Sequence, residues 1–117
     1  ARLMVLNSIF REAQTGIESI GDSQLHLTKS VVVDCEKHEL SCRGKSFYGD
    51  YNIYHPGRFN VAGKEYTADD WTAFLSAVGH HEHALIKNPA LTKSHRIGEE
   101  SARKIDKHTI GPTAFYY

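Results

Sequence analysis

Histidine is the residue this sequence holds in excess, 8 of 117. Its side chain titrates near neutrality without perturbation, so it suits proton transfer, metal ligation and pH sensing. The run His80-His81-Glu82-His83 concentrates that chemistry around one carboxylate. His80 and His83, joined by His95, form a candidate three-nitrogen set for a divalent metal such as Zn or Mg, with Glu82 as ligand or general base. A metal-free version pairs His55 with His81 or His83 as acid and base. Arg58, Lys45 or Arg96 would then hold an oxyanion or phosphate, and Thr113 and Tyr116 would orient the substrate. Cys35 and Cys42 could close a small disulfide loop or, with His38 between them, supply half a zinc site. The plain alternatives are surface or core histidines and two reduced thiols.

Val78-Gly79-His80-His81, with Asn88 and His95 as the later Asn and His, resembles the Gly-His-His signature of HNH nucleases found as toxin domains. The resemblance covers only residues 78–95 and implies nuclease activity. It departs from that family because the histidine pair follows a helical stretch instead of leading into a ββα-metal unit.

The elements that must position these residues come next. Thr67 reads as an N-cap with Asp69 and Asp70 in the first turn, where a helix dipole favours acids. Trp71, Phe74, Leu75, Val78, Leu85 and Ile86 then recur at helical spacing up to Pro89. This predicts a long central helix over 67–88, with a break at Gly79 as the alternative. Leu3, Leu6, Phe10, Ala13, Ile17 and Ile20 predict an amphipathic helix over 2–20. Its other side carries Met4, Val5 and Ile9, which suits a partner subunit.

From Ser23 the pattern turns to strands, ending in a hairpin over 58–66 with its turn at Ala62-Gly63-Lys64. A short helix is expected over 98–108 and a last strand in the aromatic tail 109–117. No internal repeat is visible. The expected fold is one α+β domain, 1–117: N-terminal helix, antiparallel meander of four or five strands, long central helix, short C-terminal helix and terminal strand.

Composition narrows function only by exclusion. With 14 basic and 14 acidic residues the net charge is zero, which leaves no overall electrostatic footprint for nucleic acid. No apolar run approaches a membrane span, and no signal peptide is apparent, so secretion and the cytoplasm both stay open. P-loop, GxGxxG, nucleophile-elbow and haem-attachment motifs are missing. Three functions fit. One is a small histidine-dependent hydrolase, foremost a nuclease of toxin type with nucleic acid as substrate. The second is a non-catalytic interaction subunit or homo-oligomer, assembling through the aromatic tail and first helix. The third is a metal- or pH-responsive binding module.

Overall fold

The computed structural model describes residues 2–19, 24–42, 47–78 and 83–111. Each of its first three coils makes three short strands. The first holds β1 (Arg2–Leu6), β2 (Ile9–Arg11) and β3 (Thr15–Glu18). The second repeats them as β4 (Gln24–Thr28), β5 (Val31–Val33) and β6 (His38–Cys42). The third follows with β7 (Phe47–Asp50), β8 (Ile53–His55) and β9 (Phe59–Val61). Like strands stack in parallel, so β1-β4-β7, β2-β5-β8 and β3-β6-β9 form the three sides of a β-solenoid.

The expected α+β fold is therefore corrected to a mostly strand architecture of mainly parallel sheets with one short helix. The strands β1 to β9 do not pair with their sequence neighbours, as a meander requires. They pair one coil ahead, Ile9 with Val31 and Val31 with Ile53. A repeat thus exists, carried by geometry and not by identity. Its corners recur with it: Asn7, Lys29 and Tyr51 all take positive φ (49°, 55° and 55°), as do Glu12 and Asp34 at the next corner (60° and 56°). Ser8, Ser30 and Asn52 stack at 22-residue steps: the Ser8 N–H donates to Ser30 Oγ and the Ser30 N–H to Asn52 Oδ1. Asn52 Nδ2 donates in turn to the Leu27 carbonyl at 2.9 Å. This ladder satisfies buried polar groups at one corner of the tube.

The segment expected to be the first helix is instead β1, β2 and β3. Leu3 and Val5 alternate with Met4 and Leu6 along β1, and stacking on the second coil favours that two-residue period over the helical one. Gly16 sits where the second coil leaves no room for a side chain. A Cβ there would lie 2.3 Å from Val32 Cγ1 and 2.9 Å from the Glu39 carbonyl oxygen.

Two cores result. Inside the tube lie Leu25, Leu27, Val32, Leu40, Phe47, Tyr54 and Phe59. Outside the β2-β5-β8 side, Val31, Val33 and Ile53 are covered by Ile97, Ala102, Ile105 and Ile110. The Val31-Val32-Val33 run is buried throughout because its two faces serve different cores.

After β9 the predicted hairpin forms, with β10 (Lys64–Tyr66) antiparallel to β9. Asp70 accepts from the Thr67 N–H at 3.0 Å and opens the helical segment. The helix proper, α1 (Trp71–Val78), is short, and Phe74 and Val78 enter the inner core. It does not continue to Asn88: β11 (Leu85–Ile86) is a strand, parallel to β8. The expected C-terminal helix is likewise replaced, by a 3-10 turn at Glu100–Ala102 and the hairpin β12 (Lys104–Ile105) and β13 (His108–Thr109). Of the terminal strand expected over 109–117, Thr109 belongs to β13, and residues 112–117 lie outside the described residues.

Candidate functional site

Of the residues singled out in the sequence, Lys45, His80, His81, Glu82, Thr113 and Tyr116 lie outside the described residues. The others are dispersed. His55 ends β8, whereas His83 sits beside Asp50 and Tyr51, at the start of the same strand. His95 lies over the first coil, near Phe10 and Arg11. Arg96 is exposed. The His80/His83/His95 set is therefore not assembled by its described members. Among the described residues no group of three or more His, Cys, Asp or Glu side chains could hold a metal.

Arg58 serves the fold. Its guanidinium donates to the Glu36 carbonyl at 3.0 Å and to the Cys35 carbonyl, and stands 3.6 Å from Glu39. Glu39 is fully buried. Its carboxylate accepts the Cys35 N–H at 3.1 Å, the Gly57 N–H at 3.1 Å and the Arg58 N–H at 2.8 Å. One side chain thus locks the corner before β6 to the corner below β9.

Cys35 and Cys42 are free thiols, the reduced alternative to the disulfide loop. They lie toward opposite ends of β6, and His38 to Cys42 alone spans roughly 13 Å, about twice the Cα separation a disulfide tolerates. Burial, with Glu39 nearby, pushes the Cys35 thiol up, so it stays protonated and unreactive at neutral pH.

One cluster was missed in the sequence. At the corner between β7 and β8, Asp50 accepts the His83 N–H at 2.9 Å, and its Oδ2 lies 2.8 Å from His83 Nδ1. The His83 ring stacks on Tyr51 (4.6 Å, 3°), and His108 lies against Tyr51 at 3.9 Å. Burial alone would push Asp50 up. The hydrogen bonds from His83 and from the Tyr51 N–H outweigh it and hold the carboxyl below its usual range. The Tyr51 phenol is pushed up, by desolvation first and then by the charges of Asp50 and Asp106. This corner clasps the segment after α1 and the β12–β13 hairpin onto the third coil.

The remaining candidate is the end of the tube at the first coil. Residues in one register position become less buried toward that end. Phe47 is 0 % exposed, Leu25 7 % and Leu3 60 %, though all three align along one ladder. Met4 and Leu6, on the outer face of β1, are 59 % and 52 % exposed. Among the described residues β1, β2 and β3 carry no strand on their outer side. Leu3, Val5, Phe10 and Ile17 line an apolar groove of about 460 Å³ there. At the opposite end β10 and β11 extend two of the three sides and α1 lays Phe74 on Phe59 at 4.2 Å, while β7 carries no described strand on its outer side. The sequence hinted at this surface only through the second apolar side of residues 2–20.

No family model matches the chain, and no curated protein or solved structure does so either. No helix of the described residues is long and apolar enough to cross a membrane.

Proposed function

We propose that the protein is a non-catalytic interaction subunit, a short β-solenoid that docks by strand addition through its open first coil. The observation that carries this reading is the exposure of Leu3 beside the full burial of its ladder mate Phe47. In a stacked-coil fold each coil buries its interior against the next, and an apolar coil edge left in contact with water calls for a neighbouring strand layer, from this chain or another. Here that end presents apolar side chains and three strand edges, the combination that templates further pairing. The fitting partner offers β-strands of its own, because only strands satisfy the edge amides and carbonyls while covering the groove.

The hydrolase reading draws no support from its described members. His55 ends β8, His83 sits beside Asp50 at the β7–β8 corner and Arg58 is engaged by backbone carbonyls, while His81, Glu82 and Lys45 lie outside the described residues.

The test is the doubly substituted Met4→Lys/Leu6→Lys protein, compared with the parent by sedimentation. Both side chains point outward, so the coil keeps its core. The parent is expected to associate at micromolar concentration and the variant to remain monomeric. Unchanged association in the variant would remove the reading.

A further inference from the structure

The zero net charge of the chain conceals a division of charge between the sides of the tube. Residues 83–111 build the layer over the β2-β5-β8 side, where Ile97, Ala102, Ile105 and Ile110 pack on Val31, Val33 and Ile53. They hold six basic residues against three acidic ones, while the rest of the chain holds eight against eleven. Glu18, Glu65, Asp69 and Asp70 lie on or just after the strands of the β10-β9-β6-β3 sheet, another side. We propose that the outer face of the 83–111 layer binds the phosphate backbone of a nucleic-acid duplex, without reading its sequence.

Four cations carry the face. Lys93, Arg96, Lys104 and Lys107 are exposed, and none enters an ion pair among the described residues. No Asp or Glu occurs between His83 and Gly98. Lys93 and Arg96 stand on a turn closed by the Leu91–Ile97 bridge. Within it the Thr92 N–H donates to the Arg96 carbonyl at 2.9 Å, and the Arg96 N–H donates to Thr92 Oγ1 at 3.1 Å. Arg11, from the first coil, donates to the Thr92 carbonyl at 2.8 Å and ties the turn to the tube. Arg103 donates from Nε to the Ile97 carbonyl at 3.0 Å, which brings a fifth cation beside Arg96. Of the three acids, Glu99 is already engaged by the Ser101 N–H and hydroxyl, with Lys87 nearby. Cations mounted on a fixed turn lose little freedom on meeting phosphates.

What the face lacks selects the partner. Among the described residues the exposed large apolar side chains are Leu3, Met4, Leu6 and Tyr48, all outside this layer. A protein partner would find no apolar anchor there. The segment contains no Phe, Tyr or Trp, so it offers no stacking platform to a single strand. A duplex presents its phosphates outward and needs neither. The acids on another side of the tube orient the approach, basic layer first.

The test is a labelled duplex DNA of arbitrary sequence, titrated with the protein and followed by fluorescence anisotropy between about 25 and 200 mM salt. Micromolar binding is expected at the low end. Log K should fall with log salt with a slope of about −3 to −4, as four phosphate contacts require. Lys93→Ala/Arg96→Ala is expected to reduce that slope by about 2 and to weaken low-salt binding about tenfold or more. Lys64→Ala, on β10 and outside the layer, is expected to change neither. All three positions are exposed, so the core is undisturbed. No duplex binding at the lowest salt would overturn the proposal, and equal binding by the double variant would remove it from this face. Binding of heparin without binding of the duplex would overturn it in favour of a sulfated glycan. None of these results bears on docking through the first coil, which is read from the protein alone.

Discussion

Glu39 and Asp50 are the two carboxylates on which the corners depend, and they respond differently to change. Glu39 is fully buried and accepts three backbone N–H groups, two of them in positions water does not reach. Removing an acceptor strands those donors and takes the carboxylate from beside the partly exposed Arg58 guanidinium. Glu39→Ala is expected to lower the unfolding free energy by about 3–5 kcal/mol in a urea titration, with an unchanged m-value. Glu39→Gln should recover only part of that, because its amide nitrogen meets a donor it cannot accept. Asp50 is more accessible, and its effect shows in pH. Its folded carboxyl lies below the usual range, held there by His83 and the Tyr51 N–H against the opposing effect of burial. A depressed acid stabilises the native state above its unfolded value and loses that contribution as pH falls through the folded one. Asp50→Asn is therefore expected to be less stable than the parent at neutral pH. The gap should narrow as pH drops below about 4, the ordinary Asp value. Thermal melts from pH 3 to 7 would show it, and a gap that widens in acid would contradict the assignment.

At the scale of elements, the sequence was legible where structure is local. Thr67 and Asp70 announced the start of the helical segment, and Ala62-Gly63 announced the β9–β10 turn; both depend on neighbours within a few residues. The solenoid was not legible, because its contacts are 22 residues apart. Its repeat is conformational. Asn7, Lys29 and Tyr51 share a left-handed corner yet share no side-chain chemistry, and none is a glycine that would flag the position. Ser8, Ser30 and Asn52 form one ladder from two residue types. In β1 the alternation of Leu3 and Val5 with Met4 and Leu6 is masked because all four are apolar. Helical spacing through Phe10, Ala13 and Ile17 then competes on equal terms. Leu85 and Ile86 continued the helical pattern of α1 for a different reason: they fill the β11 rung beside β8, where apolar residues are wanted on both faces. The Asp50–His83–Tyr51–His108 corner could not be seen for the same non-local cause, since it joins three segments far apart in sequence.

At the scale of the molecule, the asymmetry of the two ends governs behaviour. At one end α1, β10 and β11 lie against the third coil, and at the other Leu3, Met4 and Leu6 are exposed on a coil with no described strand beyond it. The histidines that drew attention in the sequence are, where described, separated along the tube, and of these only His95 lies near the first coil, beside Phe10. The most direct measurement is hydrogen exchange across a concentration series, followed peptide by peptide. The amides of β1 to β3 are expected to gain protection as concentration rises from nanomolar to tens of micromolar, while the inner strands β5, β6 and β8 stay equally protected throughout. Fast exchange in β1 at every concentration, over the same inner protection, would contradict docking through the first coil.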